Sequence, residues 1–337
     1  MDAVNLKELA RQLNLSVSTV SRALHDSYEI SQETKDRVLQ LATQLNYQPN
    51  PYASSLRKQK SKTIAVVVPE INNNFFSLAI NGISSVAQEK DYHVLIYFTH
   101  ENLQQEISIA RHLQSGRVDG VLISLSSETN NVEHLTDLRE RGVPIVFFDR
   151  VAESMDTAAI TTDDYESGFK ATEHLIEQGC RSIAYLLISK NLSIGTRRMQ
   201  GYKDALQKHN IQHDESLIVH GTNDSTENYS LVKKLLNKKD RPDGIFASVE
   251  KLAIASYHVC NDLGLNIPCD VKIISFCNLE TASLLKPSLT TITQPAFNIG
   301  KRAAVILFKT LEKKKAANNE KIVLVSELVV RDSTKRC

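Results

Sequence analysis

The chain has 337 residues, with 40 lysines and arginines against 39 aspartates and glutamates, and 42% of its residues are hydrophobic. That balance excludes a chain coated with nucleic acid, and no apolar run approaches the ~20 residues of a membrane span. Residues 1–62 nevertheless hold nine Lys/Arg against six Asp/Glu, a modestly basic head that suits local phosphate contact. The five cysteines, Cys180, Cys260, Cys269, Cys277 and Cys337, form no C-x-x-C pair and have no His-rich surroundings. No metal site is expected from them, and an odd number of scattered thiols suits a reducing cytoplasm. With no leader pattern before Ala3, the expectation is a soluble cytoplasmic protein without membrane contact.

In chain order, Leu6, Leu9, Ala10 and Leu13 fall on one helical face. Asn5 and Glu8 are spaced to cap that helix reciprocally, and Asn14 tolerates a left-handed turn at its end. Ser16 can cap a second short helix whose inner side is Val20, Ala23 and Leu24. Two short helices joined by a tight turn make a helix-turn-helix, whose second helix enters the major groove. Val17, Ser18 and Arg22 are left facing outward as candidate base contacts: a thymine methyl for Val17, base edges for Ser18, guanine O6 and N7 for Arg22. Asn5, Ser16, Thr19, Ser21 and His25 are candidates for phosphate oxygens, which fix register without reading sequence. A small helical hairpin with surface hydroxyls can equally be only a folding unit, and the residues after it shift the balance towards DNA.

Residues 31–34 open a third helix with Val38, Leu41, Ala42 and Leu45 inward. Pro49 and Pro51 end it, and a short basic segment runs on to Lys60. The matched residues Leu6, Leu9-Ala10, Ser16-Val17-Ser18-Thr19-Val20-Ser21-Arg22, Tyr47, Pro49-Asn50, Ala53 and Ser55-Leu56, with Val4 before them, resemble the DNA-binding head and hinge of the lactose/galactose repressor family. Leu13-Asn14-Leu15 departs from the Ala-Gly-Val more usual there. The resemblance implies a homodimer on a pseudo-palindromic operator. It also implies a hinge helix that enters the minor groove through Asn50 and Ala53, with Leu56 wedging a base step.

From Thr63 the period changes. Apolar runs at 64–69, 93–98, 120–125, 145–148, 183–188, 217–219, 244–247 and 271–275 alternate with amphipathic stretches at 76–89, 104–114, 132–141, 167–177, 198–209, 226–236 and 252–263. Such alternation argues for parallel sheets, and some 275 residues exceed one core, so two α/β lobes are expected. A helix at 299–311 and a final strand at 322–330 complete the chain. The fold expected is an all-α helix-turn-helix head on a body of two parallel-sheet lobes, periplasmic-binding-protein-like by resemblance. Its segments are a head at 1–46, a hinge at 47–62 and a body at 63–337. Within the body, residues 63–160 and 292–321 form the first lobe, residues 161–291 and 322–337 the second.

The resemblance places an effector in the cleft between the lobes. Asn74, Phe75, Phe76, Asp149 and Arg198 agree with its pattern, with Arg197 as the alternative gripping residue. Val249 and Cys277 depart from it, standing where an amide and a carboxylate are usual. Losing those groups weakens the case for a free hexose and points to a sugar-derived, less polar or anionic effector, or to none. Cys277 invites a redox-sensor reading, against which stands its ordinary use as an apolar filler. The sequence carries no catalytic motif and implies no cofactor, and Asp163-Asp164 read as a turn and helix cap. The expected function is a transcription regulator, acting as a repressor. The alternatives are a solute-binding sensor with a vestigial head, and a regulator answering a protein partner.

Overall fold

The computed structural model describes residues 5–47, 61–188, 192–313 and 319–337. The expected hinge residues Asn50, Ala53 and Leu56, and Val4, lie outside them. The chain divides into two compact units, 1–61 and 62–337.

In the first unit, α1 (Leu6–Leu13), α2 (Val17–Leu24) and α3 (Gln32–Gln44) pack around Leu9, Ala10, Val20, Ala23, Val38 and Ala42. Each helix starts where a short polar side chain can accept from the first turn. Asn5 accepts from the N–H groups of Lys7 and Glu8, Ser16 from Thr19 and Ser31 from Thr34. The expected reciprocal cap does not form, because the Glu8 carboxylate is taken by Arg11 and Gln12. Asn14 has φ 53°, and its N–H reaches the carbonyls of Ala10 and Arg11. Leu41 and Leu45, expected inside, are only partly buried.

The second unit holds two six-stranded sheets. The first contains β1 (Thr63–Val68), β2 (His93–Phe98), β3 (Gly120–Ile123), β4 (Ile145–Phe148), β5 (Ala159–Thr162) and β11 (Lys321–Leu324), in the order β11-β5-β4-β3-β1-β2. The second contains β6 (Ile183–Leu187), β7 (Ile218–His220), β8 (Gly244–Ala247), β9 (Lys272–Phe276), β10 (Thr290–Thr293) and β12 (Glu327–Val329), in the order β12-β10-β9-β8-β6-β7. All pairings are parallel except β10 with β12.

Both faces of each sheet are covered, which is why the inner strands are continuous apolar runs rather than alternating ones. Ile64, Val66 and Val68 of β1 face α4 (Asn74–Glu89) and α11 (Ala296–Lys313). Ala65 and Val67 face α5 (Leu103–Leu113) and α6 (Glu133–Glu140). In the second lobe, Tyr185 and Leu187 face α7 (Asp164–Glu177) and α8 (Ser193–Lys208), while Ala184 and Leu186 face α9 (Ser225–Leu236) and α10 (Glu250–Leu263).

Two expectations need correction. The strand expected at 322–330 is two strands, one in each lobe, so residues 322–324 belong with the first lobe rather than the second, as do 161–162 in β5, while 292–293 in β10 belong with the second. The chain crosses between them at buried Ser326, whose N–H donates to Asp163 at 2.7 Å. The five cysteines are not all free thiols: Cys269 and Cys337 form a disulfide, leaving Cys180, Cys260 and Cys277 buried and free. A separation of 68 residues concealed that pairing. The C-terminal tail folds back beside β9 and β10, where the Ser333 hydroxyl donates to the Ile273 carbonyl and accepts the Thr290 N–H.

Candidate functional site

Two surfaces collect the residues singled out above, one in each unit. On the head, Val17, Ser18, Arg22 and His25 of α2 and its end are exposed, as are Asn5 and Ser16. Thr19 and Ser21 are half-buried. The hydroxyls of Ser16, Ser18 and Thr19 form a chain, with Ser16 to Ser18 at 2.7 Å and Ser16 to Thr19 at 2.8 Å. The His25 Nδ1 lies 2.7 Å from the Ser21 carbonyl and must be the protonated nitrogen there, leaving Nε2 as the outward atom. Arg22 reaches Glu29 at 2.8 Å with both side chains about half exposed. The sequence reading did not anticipate that pair, nor Tyr28 beside it, which is 93% exposed.

The body leaves a narrow void between the lobes, lined by Asn73, Phe75, Phe76, Asp149, Arg150, Ile194, Arg198, Ser248, Val249, Glu250, Phe276, Cys277, Asn278 and Gln294. An adjoining space shares Arg150 and Arg198 and adds Glu70, Glu101 and Lys251. Both lie where strands of the two parallel sheets end, the edge at which open α/β sheets bind ligands. Of the expected residues, Phe75, Phe76, Asp149, Arg198, Val249 and Cys277 line the void. Asn74 does not; its amide instead donates across the cleft to the Asn278 carbonyl at 3.4 Å.

Arg198 is 3% exposed and Arg197 is half exposed, paired with Glu153 at 2.6 Å. The buried position follows from how α7 and α8 cross. A Cβ on Gly168 would strike the Arg198 carbonyl, and one on Gly201 would strike that of Tyr165, so only glycine permits this approach. The contact brings Asp164, in the first turn of α7, to Arg198 Nε at 2.7 Å. Arg198 Nη1 donates to the Ser248 carbonyl at 2.8 Å, and its guanidinium lies 3.6 Å from the Phe276 ring centroid. Asp164, read from the sequence as a cap, is thus the residue that positions the arginine. Asp163 gives no side-chain cap either; it holds Ser167 and the crossing at Ser326.

On the facing lobe, Arg150 Nη1 spans both oxygens of Glu101, at 2.8 and 2.9 Å. Burial opposes ionisation of Glu101, but the guanidinium and the Ser127 N–H hold its carboxyl below the usual range. Asp149 has no such partner. Gln294 reaches it only at 3.5 Å and Arg150 Nε at 3.9 Å, and burial pushes it up to about 6. Burial also raises Glu250, against N–H groups of Asn74 and Asn278 and the Cys277 thiol 3.7 Å away. The Cys277 thiol itself is pushed up to about 12 by burial, which suppresses the thiolate that oxidation requires. Glu250 therefore returns a carboxylate to the place where Cys277 had seemed to remove one. Lys251 to Glu70, at 3.3 Å, ties the lobes together at the rim.

Similarity to known proteins accords with both surfaces. Residues 5–50 match the family described as bacterial regulatory proteins, lacI family, and residues 172–334 match the periplasmic binding protein-like domain. The ribose operon repressor of Halalkalibacterium halodurans is 30% identical over 331 residues, covering 98% of this chain and 97% of that protein. Catabolite control protein A of Priestia megaterium is 28% identical over 333 residues, 98% of this chain and 99% of that one. Among solved structures, a complex of the transcriptional regulator CelR with cellobiose superposes with a TM-score of 0.74 at 25% identity, over 98% of this chain and 99% of the other. The end-to-end match at this identity, with a helix-turn-helix head and a two-lobed body in the same order, makes the chain a member of the lacI family of bacterial transcription regulators, which bind DNA.

Proposed function

We propose that the protein is a cytoplasmic, non-enzymatic repressor that binds a pseudo-palindromic operator as a homodimer and is controlled by a small molecule held between its lobes. The observation that carries the reading is the face of α2. Val17, Ser18 and Arg22 stand exposed side by side on the helix that such heads insert in the major groove. In this reading those three contact bases, while Asn5, Ser16, Thr19, Ser21 and His25 contact phosphates. One short head reads only a half-site, so useful affinity takes two heads, and dimer symmetry then matches operator symmetry.

For the body, the supporting observation is a cavity walled by both lobes and centred on Arg198, with Phe75, Phe76, Asp149, Val249 and Cys277 around it. The chain crosses between the lobes after β5, β10 and β11, an arrangement that favours closure around a ligand and transmission of that closure to DNA. The relatives' names fit, since one carries ribose in its name and one structure holds cellobiose.

The test is selection of bound DNA from a random pool at fixed salt, followed by competition with small-molecule extracts. A recovered palindrome, released by an extract for the wild type but not for Arg198→Ala, is the expected outcome. Weak, salt-sensitive, sequence-blind binding would overturn the operator reading. Release that persists in Arg198→Ala would overturn the cleft as effector site.

A further inference from the structure

The charges of the cleft do not cancel, and the remainder is one-sided. Each cation of the wall has a carboxylate of its own: Arg150 has Glu101, Arg198 has Asp164 and Lys251 has Glu70. Asp149 and Glu250 are left over, one from each lobe, both lining the same void. Asp149 meets Arg150 Nε only at 3.9 Å, on a guanidinium that Glu101 already holds at 2.8 Å, and Glu250 makes no ion pair among the described residues.

Two neighbouring atoms are also unfilled. Asn278 Oδ1 is buried without a hydrogen-bond partner, and so is Nε of Arg150, a side chain more than nine-tenths buried. Arg150 Nε and Asp149 Oδ2, 3.9 Å apart, stand as a donor and an acceptor on the same wall. A ligand hydroxyl placed there accepts from the guanidinium and donates to the carboxylate. Glu250 accepts the backbone N–H groups of Asn74 and Asn278 and lies 3.7 Å from the Cys277 thiol, neutral neighbours that leave its charge without a counter-ion.

We infer that the cleft takes a cationic polyhydroxyl ligand, a small sugar or polyol bearing a protonated amine, with Asp149 and Glu250 as the residues that select its charge. This rests on the effector reading above and narrows it. An anionic effector would add a negative charge to a wall whose cations are already paired, at the cost of desolvating it. Burial, which raises the affinity of both carboxyls for protons, also raises the gain from a counter-charge brought by the ligand.

The experiment is calorimetric titration of the full-length protein near neutral pH with matched pairs: glucosamine and glucose, galactosamine and galactose, mannosamine and mannose, with glucose 6-phosphate as the anion. The expected result is that in at least one pair the amine binds roughly tenfold or more tightly than its neutral parent. Glu250→Gln and Asp149→Asn, on different lobes, should each pull that ratio towards one, with unliganded melting curves showing that each variant is folded. Equal or tighter binding of the neutral parents, preference for the phosphate, or no binding by any compound would overturn the inference. If a neutral or phosphorylated compound binds and Arg198→Ala abolishes it, charge selection falls while the effector site stands.

Discussion

The two arginines on which the functional reading turns, Arg22 and Arg198, are held in opposite ways. Arg22 stands half exposed on a helix of eight residues, with one loose partner in Glu29. Arg198 is buried on a helix of 16 residues, fixed by a carboxylate, a carbonyl and an aromatic face. An exposed ion pair contributes little and exchanges easily, so Arg22 can leave Glu29 for a base at small cost. A buried guanidinium gives up its partner only at a large penalty, so Arg198 is a fixed point in the cleft wall. In the proposed reading, recognition of DNA is left to a side chain free to move, and recognition of the effector to one that is not.

The sharpest way to break this contrast is Asp164→Ala. It strands the Arg198 charge among Phe276 and the α7–α8 contact, and a loss of ~3–5 kcal/mol of stability is expected. Urea unfolding of the full chain measures it. A loss under ~1 kcal/mol would mean that Arg198 finds water or another partner, and that the buried and exposed arginines differ less than their surroundings suggest.

Next in size is Asp149, a buried carboxylate that meets Arg150 only at 3.9 Å. The folded chain keeps its proton up to about 6, whereas an unfolded aspartate releases it near ~3.9. Between those values the folded state binds more protons, so this group's contribution to stability is fully present below the lower value. It is lost as pH rises through the upper one. Across that window the wild type should lose roughly 2–3 kcal/mol relative to Asp149→Asn. Parallel pH profiles for the two proteins would indicate that Asp149 is ionised in the fold at all these pH values.

Much of the scaffold was legible before the structure. β2, β4 and β8 fall at the ends expected for them, because each is an apolar run bounded by turn residues or charges. The start of α8 was expected near 198 but lies at Ser193, since Ser193-Ile194-Gly195-Thr196 are poor helix formers that packing overrides. The last strand was read as one because nothing in Val325-Ser326 signals a change of sheet; the signal is Asp163, far off in sequence. The cleft shows the same limit. Family pattern pointed to Arg198 and Asp149, but Arg198 is held by Asp164, and the Arg150 beside Asp149 is engaged by Glu101, pairings that exist only in three dimensions. Reading Cys277 alone suggested a missing carboxylate, and only the fold showed Glu250 returning one.

On the head, Arg22→Ala should weaken cognate operator binding by ~1–3 kcal/mol through loss of its base contact. It should change stability by less than ~0.5 kcal/mol, because no buried group is left unpaired. Gel-shift titration at fixed salt and a melting curve separate the two. Unchanged operator affinity would remove Arg22 from the reading face; a large drop in melting temperature would make it structural, like Arg198.

The smallest effect is the most telling for the comparison. Glu29→Ala releases Arg22 without touching the core, and an exposed pair of this kind contributes ~0.2–1 kcal/mol at most. If Glu29 merely parks the guanidinium, its removal should leave stability within that range. It should also tighten binding to all DNA, by a few-fold at low salt, because a negative charge beside the proposed reading face is gone. If instead Glu29 orients Arg22 towards its base, as Asp164 orients Arg198, the variant should lose discrimination between cognate and mismatched operators while nonspecific affinity rises. Measuring cognate and mismatched binding side by side at two salt concentrations tells these apart. A loss confined to the cognate site would show that the head, too, holds its arginine in place.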